Sequence, residues 1–170
     1  MYKRQDLIAF LDADDIWHKE KLKKQIKFMK LNNYDITHTS YTVINENRDP
    51  IKRRIARNFI HINDLLKSCD IGTSTVIIKK YLINENIKFA HLVTKEDFVL
   101  WLKLLKNNYK IYALDEVLTF WTKSNSSLSS STFQKIKDGF KVYYEYMNFN
   151  YIKSIYYLLC LSCLLYTSPS

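Results

Sequence analysis

The chain has 170 residues, 47% hydrophobic and 25% charged, enough for one domain with an ordinary core and too few for two comfortable ones. That balance excludes disordered, collagen-like and coiled-coil classes, and a total of 2 Gly excludes a glycine-rich phosphate loop or a dinucleotide fingerprint. The net charge of +9 invites nucleic acid, but the cations are mostly Lys scattered along helical stretches without a helix-turn-helix, zinc or RNP pattern; the expectation is a solvated basic surface, open to a nucleotide diphosphate or anionic lipid but with no nucleic-acid partner.

Both tips are unlike the rest. Residues 1–5 (MYKRQ) and 163–170 (CLLYTSPS) read like the two complementary senses of one translated sequencing adapter. Native sequence is therefore expected over residues 6–162, as an internal fragment of a longer protein. No apolar stretch follows the first charges, so no signal peptide is expected.

Leu7 to Leu11 is a continuous apolar run that predicts a buried strand of a parallel sheet. Asp12-Ala13-Asp14-Asp15 follows at once. Trp17 to Leu31 has helical spacing, with Leu22, Ile26 and Met29 as the inward stripe and Lys on the other faces. Tyr34 to Asn45 predicts a strand, Glu46 to Asp49 a turn, and Lys52-Arg53-Arg54 an exposed loop or edge strand. A short helix is expected over Asn63 to Cys69, and Gly72 to Ile78 reads as a turn entering a strand. Thr94 to Lys106 predicts an amphipathic helix with Phe98, Trp101, Leu102 and Leu105 on one face.

Two strands are expected next, Lys110 to Leu114 and Val117 to Trp121. A Ser-rich loop covers Ser124 to Ser131, and a helix covers Phe133 to Met147. The apolar run Ile155 to Leu165 is shorter than the roughly 20 residues of a membrane span. Together with Tyr143, Tyr144 and Tyr146, its start reads either as helix packing or as an amphipathic segment lying on a membrane surface. The alternation of strands and helices predicts an α/β fold. Cys69, Cys160 and Cys163 have no metal-ligand spacing and leave one thiol over from any pair, which points to a reducing compartment. His18, His38, His61 and His91 also lack ligand spacing and read as ordinary residues.

Chemistry concentrates in two acidic clusters. Asp12, Asp14 and Asp15 follow a strand at the sheet edge where open α/β sheets bind ligands. Crowded carboxylates there favour a hard cation, Mg²⁺ or Mn²⁺, which is commonly held by one or two carboxylates plus substrate phosphates. Capping of the next helix accounts for one Asp but not three. The second cluster, Glu96-Asp97, opens the Trp101 helix. It reads either as a capping box with Thr94 or as a carboxylate aimed into a cleft to act as general base. Trp101 reads as core or as a lining of the acceptor site. Ser74 and Thr75 are candidates for acceptor contact, with no His at a telling offset and no G-x-S-x-G elbow to make either a hydrolase nucleophile.

In order, "LIAFLDADDIWHKEKLKKQI", "STVIIKK" and "KEDFVLWLKLL" resemble glycosyltransferase family 2, the GT-A fold enzymes, and the resemblance runs from Leu7 to about Ser129. It departs from the family at Trp121-Thr122, which stands where a Tyr-Arg pair is usual, and at Lys19, where Pro is common. The resemblance implies a partial GT-A fold, Rossmann-like, a mixed sheet flanked by helices, lacking the N-terminal nucleotide-binding half. It implies that Asp12 and Asp14 form a DXD motif. Asp14 would bind a Mn²⁺ or Mg²⁺ on the donor diphosphate, Asp12 would contact the nucleotide sugar or a metal-bound water, and Asp15 would support the loop. It implies that Asp97 is the base, with Glu96 beside it. The implied partners are a nucleotide-sugar donor, by family habit a UDP-sugar, and a saccharide or lipid-linked saccharide acceptor. The implied setting is cytoplasmic, at the inner face of the membrane in bacterial surface-polysaccharide synthesis. Haloacid-dehalogenase phosphatases also begin with an apolar strand and D-x-D, but Ile16 stands where they need Thr or Val. A non-catalytic basic binding fragment is the remaining alternative.

Overall fold

The computed structural model describes residues 6–68, 70–123 and 132–167, with side chains from 133 to 162 in the last segment. Cys69, the Ser-rich loop at 124–131 and the expected adapter residues 1–5 and 168–170 lie outside the described residues, and for 163–167 only the backbone is described.

The elements run β1 (Leu7–Ala9), β2 (Ile16–Trp17), α1 (Lys21–Asn32), β3 (Ile36–Ile44), β4 (Pro50–Arg54), α2 (Ile62–Leu66), β5 (Ile77–Lys79), α3 (Glu96–Lys106), β6 (Tyr112–Thr122), α4 (Thr132–Lys141) and α5 (Tyr151–Thr167). The sheet order is β1-β5-β3-β6-β2, and β4 covers the far end of β3. β3 and β6 run parallel; every other described pair is antiparallel. The fold is α/β with a mixed sheet, as expected.

β3 is the axis of the sheet. Its β-branched residues Ile36, Thr37, Thr39, Val43 and Ile44 are buried, which is what such side chains suit on a pleated surface. The core lies between the sheet and α3, where Phe98, Trp101, Leu102 and Leu105 are buried together with Val99, Leu100 and Leu104. Its far wall is Val142, Tyr143 and Met147, reached through a short π-helical turn after α4.

Four expectations change. β1 is not an interior parallel strand: it pairs antiparallel with β5, with Ile8 opposite Ile78, and is only half-buried. An apolar run carries no information about partner direction. The inward face of α1 is Lys21, Gln25 and Met29, while Leu22 is 42% exposed. Trp17 belongs to β2, so α1 starts later than its spacing suggested. Finally, β6 is one strand: Asp115-Glu116 sits in a bulge, where the register jumps from Thr39–Leu114 to Ser40–Val117.

The outer edge of β1 has no strand partner among the described residues. Beside it lies an open trough of about 730 Å³ lined by Leu7, Leu22, Ile26, Met29, Tyr34 and Ile77, among others. Leu22 and Ile26, expected to face the core, line it instead, while Met29 is buried as expected.

Candidate active site

β1 and β2 are joined by a tight turn, closed by the Asp15 amide donating to the Asp12 carbonyl at 3.1 Å. Two neighbours fix it. On one side Thr122, at the end of β6, donates its amide to Asp15 Oδ1 at 3.0 Å and its hydroxyl to the Asp14 carbonyl. On the other side the Asp12 amide donates to Ser74 Oγ at 3.0 Å. Thr122 thus stands where the resemblance led us to look for an Arg, and its short side chain ties the acidic turn to the sheet.

Ser74 belongs to a second turn, Thr73–Thr75, a single 3-10 turn ahead of β5. Thr73 Oγ1 donates to Asp97 Oδ2 at 2.6 Å. Adjacent residues of one turn therefore hold both acidic clusters: Ser74 holds Asp12, and Thr73 holds Asp97. The turn itself is clamped from behind. The Ser74 carbonyl accepts from the Trp17 indole at 2.7 Å and from the Thr119 hydroxyl at 3.3 Å. The Thr75 carbonyl accepts from Gln25 Nε2 at 3.0 Å. Gln25 Oε1 accepts in turn from the buried Lys21 Nζ at 2.8 Å, which also lies 4.6 Å from the Trp17 ring.

The capping-box reading of Thr94 and Asp97 does not hold. α3 begins at Glu96, after Lys95 in a left-handed conformation (φ 65°), and no side chain caps it. Thr94 donates its amide and hydroxyl to Asp138 Oδ2 on α4 at 2.9 and 3.0 Å. Asp97 keeps a local bond from the Phe98 amide at 2.7 Å, but its other oxygen is committed to Thr73.

The carboxyls perturb one another. Burial raises the pKa of Asp97 above the usual carboxylate range, against the Thr73 hydroxyl, the Phe98 amide and the Lys95 charge. Partial burial raises Asp12, and the charges of Asp97 and Asp14 add to it. Burial raises Glu96, helped by Asp97 and Asp12. Asp15 is pushed up to about 6, chiefly by burial. Two clusters more than 80 positions apart in sequence thus form one electrostatic unit that favours an added cation.

Among the described residues no group of three or more His, Cys, Asp or Glu is arranged to hold a metal ion. A hard divalent ion held by one or two carboxylates and completed by phosphate oxygens does not need three protein ligands. Asp12 and Asp14 are exposed carboxylates of that kind, and Asp15 Oδ2 is buried with no hydrogen-bond partner. The donor set fits such an ion.

The other candidates are placed differently. Trp101 is fully buried and packs edge-on against Phe10 at 6.1 Å, so it belongs to the core rather than an acceptor surface. Ser74 and Thr75 are buried too; the Thr75 hydroxyl donates to the Gly72 carbonyl at 2.6 Å. Their polar atoms build the turn rather than face an acceptor. The sequence gives Thr73, Lys21 and Gln25 no role, and marks Thr122 as the place of a missing Arg. Only the hydroxyl run Thr73-Ser74-Thr75 and the missing Arg at Thr122 hinted at two of them.

The fold and site together define an α/β protein with carboxylates gathered at the end of a sheet beside a helix start. The sequence model of Glycosyl transferase family 2 matches residues 2–99, and the chain belongs to that family. It is 38% identical over 93% of its length to UDP-Glc:alpha-D-GlcNAc-diphosphoundecaprenol beta-1,3-glucosyltransferase WfgD of Escherichia coli. It is 32% identical over 86% of its length to TuaG of Bacillus subtilis, a glycosyltransferase named for teichuronic acid biosynthesis. The chain spans 61% and 58% of those two relatives. Among solved structures, TarS 1-349 of S. aureus in complex with UDP-GlcNAc superposes with a TM-score of 0.65 at 19% identity, covering 92% of this chain and 47% of that one; that likeness supports the GT-A fold.

Proposed function

We propose that residues 6–162 are the C-terminal part of a single GT-A domain whose complete form transfers a sugar from a UDP-sugar to a hydroxyl of a saccharide or lipid-linked saccharide in bacterial surface-polysaccharide synthesis. The observation that carries the reading is the Thr73-Ser74 turn, which joins Asp12 to Asp97. The names of WfgD and TuaG support the substrate class and the setting, on the cytoplasmic side where nucleotide sugars are supplied. The unpaired edge of β1, the apolar trough beside it and the partial coverage of the relatives support a missing nucleotide-binding half.

In this reading Asp97 accepts the proton of the acceptor hydroxyl while that oxygen bonds to the anomeric carbon and the bond to the nucleoside diphosphate breaks. A single displacement inverts the anomeric configuration. Burial keeps Asp97 more basic than an ordinary carboxylate, closer to the range in which a general base works best. Glu96 lies beside it to orient sugar hydroxyls. Asp14, with Asp12, would hold a Mn²⁺ or Mg²⁺ whose charge stabilises the departing diphosphate, and Asp15 and Thr122 fix that turn.

The test is transfer from UDP-sugars by the chain extended through the relatives' N-terminal length. Asp97→Asn is expected to lower turnover by about 10²–10⁴-fold, with Asp14→Ala and removal of the divalent ion each producing a comparable loss. The acid limb of kcat/KM is expected above the usual carboxylate range. The 170-residue chain alone is expected to be inactive. Undiminished turnover in Asp97→Asn would remove that residue from the mechanism, and transfer by the short chain would overturn the missing-half reading.

A further inference from the structure

We infer that the outer face of α5, continued onto α4, is a docking surface for an anionic lipid bilayer. The inference stands apart from the transfer chemistry, because it rests on side chains remote in sequence from the carboxylates.

α5 is apolar on more than one side. Its inner side is sealed by Ser154 and Leu161, which are buried. Its outer side carries Tyr151, Ile152, Ile155, Tyr156 and Leu159, at helical spacings of one, three and four. All five are exposed, Ile152 at 81% and Leu159 at 60%. No charged residue interrupts that stripe, and removing its aliphatic members from water is favourable in proportion to the apolar area covered.

The face continues onto α4. Phe140 stacks on Tyr144 at 5.4 Å and meets Tyr151 edge-on at the same distance. Phe133 and Ile136 extend the same side of α4, 77% and 48% exposed. A patch of this kind on a soluble surface marks an interaction site.

Charge and side-chain type identify the occupant. Lys67 lies 5.9 Å from the Tyr156 ring, and Lys153 lies 4.0 Å from the Phe149 ring. Lys137 and Lys141 border the α4 stripe, where Glu145 is the acid on the exposed side; Asp138 is buried against Thr94. Exposed aliphatic side chains, exposed Tyr rings and a Lys border match the layers of a bilayer interface with anionic headgroups. Among the described residues no helix is long and apolar enough to cross a membrane.

The experiment is flotation of the 170-residue chain with vesicles of phosphatidylglycerol and phosphatidylcholine, and with phosphatidylcholine alone. No donor or acceptor is present, so the outcome is independent of whether the site transfers sugar. Binding is expected to the phosphatidylglycerol vesicles. Ile152→Ser with Leu159→Ser should weaken it by at least about tenfold. Both side chains are exposed, so the melting curve of this variant should match the parent; Lys137→Ala with Lys153→Ala should weaken binding and steepen nothing else. Equal binding by the Ser variant would mean that net charge alone holds the protein, and would overturn the inference. Absence of vesicle binding, with a concentration-dependent dimer that the Ser variant abolishes, would assign the face to a second copy of the chain.

Discussion

Two helices frame the candidate site and are held by opposite means. α3 is held by burial: Phe98, Val99, Leu100, Trp101, Leu102, Leu104 and Leu105 are all removed from water. α1 turns two polar side chains inward, Lys21 and Gln25, both with no exposed surface. Apolar packing is non-directional and tolerates small rotations. Hydrogen bonds inside a protein are directional, and unmade ones are costly. The comparison teaches a division of labour. α3 supplies stability and carries Asp97 on a rigid base, while α1 fixes the orientation of the Thr73–Thr75 turn that joins the two acidic clusters.

The largest expected effect of breaking that division is on α3. Trp101→Ala removes the bulkiest fully buried side chain in the core and should destabilise the chain by about 3–5 kcal/mol. A shift in the denaturation midpoint at unchanged m-value would report it. A near-neutral result would mean the ring faces an open cleft, and would restore the acceptor-site reading. The next effect is on α1. Gln25 Nε2 donates to the Thr37 carbonyl, the Thr37 hydroxyl and the Thr75 carbonyl. Gln25→Met conserves size but leaves those acceptors and Lys21 short of a partner, at about 1–3 kcal/mol. Its sharper signature is local: amide exchange at Asp12 and Val76, whose bonds depend on the turn, should accelerate more than exchange in α3. Uniform acceleration would deny α1 its orienting role.

The same contrast explains what could be read from sequence. The α3 face was legible because apolar residues at helical spacing have one physical destination. Both acidic clusters were legible because carboxylates after a strand and at a helix start are conspicuous. The inner face of α1 is not legible because Lys21 counts as a surface residue in any hydrophobicity pattern. Its burial depends on Trp17, Gln25 and the Thr75 carbonyl, contacts that span up to 54 positions. Thr73 does not stand out from Ser74 and Thr75 in the sequence, because three neighbouring hydroxyls look alike until the turn orients each one. β6 was split at Asp115-Glu116 because a bulge with two acids imitates a turn. The direction of β1 was beyond reach, since its partner β5 lies some 70 residues away.

The most specific effect, and the smallest over any single pH unit, concerns the charge on Lys21. Burial lowers its pKa from 10.5 to about 7. Below pH 7 the amine is charged in both folded and unfolded chains, and the cost of burying that charge is constant. Between 7 and 10.5 the folded chain releases a proton that the unfolded chain keeps. The unfolded state then binds more protons, so stability rises with pH across this window, by at most about 1.4 kcal/mol per unit. Above 10.5 both states are neutral and the gain ends. Lys21→Met removes the group, so the difference in unfolding free energy between parent and variant should climb through that window and be flat below it. The subtraction cancels every other titrating group, the tyrosines included. Parallel curves for parent and variant would mean that Lys21 stays charged when folded, held by the Trp17 ring and Gln25 more tightly than burial opposes. The rear clamp of the turn would then be an ion rather than a neutral donor, and α1 would differ from α3 in charge as well as in polarity.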